Sequence, residues 1–106
     1  MALVTVEIIS RQEIFPEGTP EGGSWVIIAE DISSDSGVAY VGPNPYKTFL
    51  LDPDAYMIKV GRRDINGDLI GEYIEEQVTV PSDTTNFTVK INTALNHFIK
   101  KINKFK

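Results

Sequence analysis

The stretch Leu51-Asp52-Pro53-Asp54-Ala55-Tyr56-Met57-Ile58-Lys59-Val60, followed closely by Asp64-Ile65-Asn66-Gly67-Asp68, decides the fold. A Pro-Asp turn delivers a tyrosine into a segment where Tyr56, Ile58 and Val60 recur at every second position. That is the period of a strand with one buried face. Asn66-Gly67 is the strongest short-range hairpin signal in the chain, because both central residues of a type I′ turn need positive φ. Together the two stretches predict strand, hairpin and returning strand, and with them an all-β antiparallel sandwich.

The same alternation recurs on either side of these stretches. Residues 2–10 read as a strand with Val4, Val6 and Ile8 on one face. Residues 24–31 read as a second, with Trp25, Ile27 and Ala29 aligned; Val26 and Ile28 are also apolar, which predicts cover on both sides. Residues 38–42, 46–51, 55–63, 69–80 and 86–91 complete about seven strands, with Ile74, Glu76, Val78 and Val80 on one face of the sixth. Pro43 and Pro45 fall between strands, since neither suits a central ladder. Residues 11–23 end in Glu17-Gly18-Thr19-Pro20-Glu21-Gly22-Gly23, which predicts a surface loop.

The 106 residues suit one β domain over 1–92, followed by a short segment at 93–106. In that segment Leu95, Phe98, Ile99, Ile102 and Phe105 fall at helical spacing, and Lys100, Lys101, Lys104 and Lys106 complement the C-terminal end of a helix dipole. A helix this short is marginal alone, so it is expected to dock its apolar stripe on its own domain or on a partner. Charge divides the same way. Residues 1–92 hold 15 acids and 6 bases, net −9, while 93–106 hold four lysines and no acid, net +4. The acidic body argues against a nucleic-acid surface there. The chain has no cysteine and no apolar run long enough for a membrane span. The N-terminus does not read as a signal peptide, so the expected address is the cytoplasm or a virion assembled there.

The run Leu51, Pro53, Tyr56 resembles the tyrosine corner of fibronectin type III and immunoglobulin-like domains, which implies a tyrosine hydroxyl bonded to backbone upstream. Only 30 residues lie between Trp25 and Tyr56, and a further strand, Asn86 to Ile91, follows where the fibronectin fold would stop. Over residues 46–91 the order Tyr56-x-Ile58-x-Val60, hairpin, Val78-x-Val80, then Phe87-x-Val89 is more similar to the prealbumin-like sandwich of carboxypeptidase regulatory-like domains. That resemblance implies a non-catalytic structural or adhesion module and carries over no functional residue.

The sharpest chemical pattern is Asp64, Asn66, Asp68, Glu72 and Glu75, which fall at positions 1, 3, 5, 9 and 12 of an EF-hand calcium loop. Position 6 of that loop needs glycine for its sharp turn, and here it is Leu69. The acidic hairpin is therefore favoured over a calcium site. His97 is the sole histidine, so neither a Ser-His-Asp triad of the usual kind on the β body nor a multi-histidine zinc site is expected. Glu75 and Glu76 point to opposite faces of one strand and cannot share a proton. No enzyme is expected. The leading expectation is a structural or interaction module that decorates or cements a larger assembly such as a virion or a surface apparatus. It would self-associate or meet a protein partner through the C-terminal helix and the 11–23 loop. The alternative is a calcium- or carbohydrate-binding adhesion module, using the acidic loop or Tyr40, Tyr46 and Tyr73.

Overall fold

The computed structural model describes residues 1–9 and 23–92. The loop expected at 11–23, apart from Gly23, and the helix expected at 93–106 lie outside the described residues. The described residues form seven strands: β1 (Ala2–Ile9), β2 (Ser24–Asp31), β3 (Gly37–Gly42), β4 (Tyr46–Leu51), β5 (Ala55–Arg63), β6 (Ile74–Thr79) and β7 (Asn86–Asn92). They form two sheets, ordered β4-β1-β7 and β3-β2-β5-β6.

One core joins the sheets. Val4, Val6 and Ile8 of β1, Phe49 and Leu51 of β4, and Val89 and Ile91 of β7 come from the three-stranded sheet. Trp25, Ile27 and Ala29 of β2 meet them from the other side, with Tyr56, Ile58 and Val60 of β5 and Ile74 of β6. Every one of these sits at an alternate position of its strand, so the period-two pattern places the core. Each fully buried Ile or Val contributes roughly 1.5–3 kcal/mol, well above an exposed pair such as the 2.8 Å hydroxyl contact of Thr5 with Thr48, worth about 0.2–1 kcal/mol.

Three sequence expectations are corrected. The body is not wholly antiparallel: β1 and β7 run parallel, with Leu3 opposite Asn86 and Ile9 opposite Asn92. The strand expected over 69–80 begins only at Ile74. Leu69 makes a lone bridge to Arg63, and Ile74 pairs with Val60. Between those pairings the four residues 70–73 oppose Gly61 and Arg62, and Gly71 at φ 70° absorbs the excess. The bulge carries Tyr73 and Leu69 over Gly61, where a β-carbon would lie 2.9 Å from the Tyr73 ring and 3.1 Å from Leu69. Val26, the cross-strand partner of Gly61, is buried on this outer face, as the apolar run in β2 predicted.

The third correction concerns the β5–β6 turn. Asn66 does not have positive φ, and only Gly67 does, at 89°. The Gly67 amide donates to the Asp64 carbonyl (3.0 Å), and the Asp64 amide donates to the Asp68 carbonyl (2.8 Å). That is a three-residue loop, a tight turn followed by a left-handed glycine, rather than a two-residue type I′ turn. The Asp64 side chain selects it: its Oδ1 accepts from the Asn66 amide (2.9 Å) and from the Asp68 amide (3.0 Å).

Candidate functional site

The crossing from β4 to β5 carries the densest polar structure among the described residues. Leu51 ends a strand of one sheet and Ala55 starts a strand of the other, so residues 52–54 step between layers. Tyr56 is buried, and its hydroxyl donates to the Asp52 carbonyl at 2.7 Å, the bond that the corner resemblance implied. Asp54 ties three elements together. Its Oδ1 accepts from the Ala55 amide (2.8 Å), its carbonyl accepts from the Val80 amide (2.9 Å), and its Oδ2 lies 2.9 Å from the Ser33 hydroxyl.

Asp31 Oδ1 accepts from the Ser33 amide (2.9 Å) and from the Ser33 hydroxyl (2.7 Å). The hydroxyl has one proton, and the shorter contact is to Asp31. These bonds favour the charged carboxylate and hold Asp31 below its ordinary value, against a smaller opposing effect of desolvation. Tyr56 shifts upward, because burial disfavours a phenolate and the negative Asp31, Asp52 and Asp54 add to that penalty. A cleft of about 180 Å³ opens here between the sheets, lined by Asp31, Val38, Leu50, Asp52 and Tyr56 among others. It falls below the roughly 300 Å³ at which small-molecule sites begin.

The acidic residues singled out from the sequence do not converge. Asp64 spends its carboxylate on its own turn. Glu75 stands on β6 beside Lys59, whose ammonium also lies 3.1 Å from Glu30 and 3.7 Å from Glu75. The Glu30 hydrogen bond is the main reason Lys59 is held above its ordinary value. Asn66, Asp68 and Glu72 remain exposed on the loop. Among the described residues no three acidic or histidine side chains are grouped to hold a metal.

The tyrosines offered for carbohydrate stacking lie apart. Tyr46 is on the outer face of the three-stranded sheet, opposite Glu7. Tyr73 lies over Gly61 on the outer face of the four-stranded sheet. Tyr40 packs against the core beneath the Lys47 ammonium, 5.2 Å from its ring, and its hydroxyl accepts from the Asn44 amide at 3.1 Å. No two of them share a platform. Arg62 stacks on Trp25, 4.8 Å from the ring, and partial burial lowers its guanidinium from its ordinary value.

What sequence reading missed is a surface. On the outer face of the three-stranded sheet, Leu3 is 49% and Leu50 58% exposed, directly opposite one another. The Thr88-Thr5-Thr48 row follows, and beyond it Tyr46, 52% exposed, faces Glu7. The signal was present: Leu3 and Leu50 sit out of phase with the buried residues of their own strands. The residues named for partner binding, Leu95, Phe98, Ile99, Ile102, Phe105, Lys100, Lys101 and Lys104, lie outside the described residues. In comparisons with known proteins no family model, no curated protein and no solved structure matches the chain.

Proposed function

We propose that this chain is a non-enzymatic structural or interaction module. One observation carries the reading. The outer face of the β4-β1-β7 sheet presents Leu3, Leu50 and Tyr46 to solvent around a threonine row, with Glu7 and Lys90 at one end. A sheet face of that composition suits burial against another protein surface. The polar groups that might have signalled chemistry serve the fold instead: Asp64 holds a turn, Asp31 holds Ser33, Asp54 accepts from the Ala55 amide, and Tyr56 holds the corner.

In architecture we read the body as a prealbumin-like sandwich of the carboxypeptidase regulatory-like kind, with a fibronectin type III or immunoglobulin-like one as second choice. Support comes from the Tyr56 to Asp52 bond and from a last strand that returns to the first sheet beside β1. In setting we place it within a larger assembly, such as a virion or a surface apparatus, in the cytoplasm or on a particle built there.

The test is the double substitution Leu3→Lys and Leu50→Lys. Both side chains face outward, so the melting temperature should hold to within a few degrees. Association with itself or with a co-purified partner, read by light scattering after size exclusion, should fall at least tenfold. Association that survives the double variant unchanged would remove this face from the reading. A chain that stays monomeric and partnerless before and after the change would defeat the reading altogether.

A further inference from the structure

We infer that β3 is a pairing edge, and that its partner is the β3 strand of a second copy of this chain, joined antiparallel across a twofold axis at Ala39. The inference goes beyond the interaction reading above: it adds a second surface, on the other sheet, and names the partner for that one. Among the described residues the two sheets leave four edge strands: β4, β7, β3 and β6. Three of them carry charge along the strand, Lys47 on β4, Lys90 on β7, and Glu75 with Glu76 on β6. Charged residues on an edge oppose strand addition. β3 alone is bare. Gly37-Val38-Ala39-Tyr40-Val41-Gly42 has no charge and no proline, and the charge-free run extends from Ser36 to Tyr46.

The ladder tells which backbone groups are free. The Asp31 amide donates to the Ser36 carbonyl at 2.7 Å. In the register of β2 with β3, Asp31 opposite Ser36 is followed by Ala29 with Val38, Ile27 with Tyr40 and Trp25 with Gly42. Antiparallel ladders bond alternate pairs, so these residues face β2, and Gly37, Ala39 and Val41 turn their amides and carbonyls to the open edge. Val41 is 48% exposed on the outer side.

Those three residues fix the geometry. Outward-facing residues must meet outward-facing residues, so Ala39 pairs with Ala39 of the other copy and Gly37 with Val41. That gives about six intermolecular backbone bonds, with Val38 beside Tyr40 in the alternate positions. Alanine on the axis puts a small side chain where the same residue of the two copies stands face to face, while the closer, non-bonded pairs set Val38 beside Tyr40. Charge selects the antiparallel sense. Asp35 stands just before β3, and Lys47 reaches over Tyr40 near its far end. Antiparallel pairing turns the Asp35 end of each copy toward the Lys47 end of the other, whereas parallel pairing would set like charges together. The result is one continuous eight-stranded sheet spanning both copies.

An edge pair of this length falls below standard interface size, so the expected dimer is weak, with a dissociation constant from roughly micromolar to millimolar. The experiment is sedimentation equilibrium on the full chain up to roughly 1 mM. Two variants accompany it, Ala39→Pro and Val41→Lys. Proline at 39 removes an amide that points away from β2, so the internal ladder keeps its bonds. Lysine at 41 adds an edge charge at an exposed position and serves as the variant least able to disturb folding. Circular dichroism and melting temperature check both. The expected result is a concentration-dependent dimer in the parent chain, weakened at least tenfold in each folded variant. A dimer of unchanged strength in both variants overturns the β3 pairing and leaves the interaction reading standing on the other face. A parent chain that is monomeric at every concentration also overturns it, while Leu3→Lys with Leu50→Lys still decides the broader reading separately.

Discussion

β5 enters through Asp52-Pro53-Asp54 and leaves through Asp64 to Asp68. Both turns are short and acidic, and each uses an aspartate to accept backbone or hydroxyl donors. Their reach differs. The four bonds that build the second turn close within residues 64–68. The first binds outward: the Ile32 amide of the β2–β3 turn donates to the Ala55 carbonyl at its end, and the Val80 amide after β6 donates to the Asp54 carbonyl. A hairpin needs only to reverse the chain, and local bonds suffice. A crossing between layers has to fix two sheets relative to each other, which takes bonds between elements distant in sequence.

The largest break should come at the corner. Tyr56→Phe removes the hydroxyl and leaves its aromatic body in the core, so stability is expected to fall by roughly 1–3 kcal/mol, read from urea unfolding. The same variant sharpens the comparison in alkali. Tyr56 has a folded value above its ordinary 10.0, so the unfolded chain ionises first. The stability it contributes is whole below about pH 10 and is lost as pH rises through the raised value. Phenolate absorbance should therefore show a tyrosine that ionises above its ordinary value, and Tyr56→Phe should abolish that phase.

A smaller loss is expected at the hairpin. Gly67→Ala meets open space, so its whole cost is the backbone at φ 89°, about 1–2 kcal/mol by thermal unfolding. Smallest is Asp64→Ala, which deprives two exposed amides of an acceptor that water replaces in part, about 0.5–1 kcal/mol. Calorimetry with calcium adds a check on that residue. With no three acidic side chains grouped to hold a metal among the described residues, no heat is expected, and heat that Asp64→Ala abolishes would restore a metal role to the loop.

Most of the strands were legible because alternation and turn residues agree locally. β2, β4 and β5 begin and end where Gly, Pro and Asp interrupt the alternation. The failures share a cause, which is competition beyond the local pattern. Asn66-Gly67 is the dipeptide of a two-residue turn, but Asp64 two places earlier offers an acceptor that stabilises a longer one. Leu69 to Tyr73 look like strand, but Gly61 on the facing strand leaves room for a tyrosine, and the bulge follows from that vacancy. Strand partnership is least local of all: nothing in residues 86–92 says that they will lie beside residues 3–9. At the candidate site, spacing drew attention to acidic residues that the fold consumes, while the exposed leucines drew none, because one apolar residue out of phase in a strand is ordinary.

The parallel pairing of β1 with β7 has a mechanical meaning. Ala2 lies at one end of that pair and Asn92 at the other. A pull that separates these two residues runs along both strands, in opposite directions. The backbone bonds between them then carry the load side by side and must yield nearly together. An antiparallel terminal pair held at neighbouring ends would instead peel open bond by bond. The domain is thus built as a clasp loaded in shear, suited to bearing tension along the line from residue 2 to residue 92.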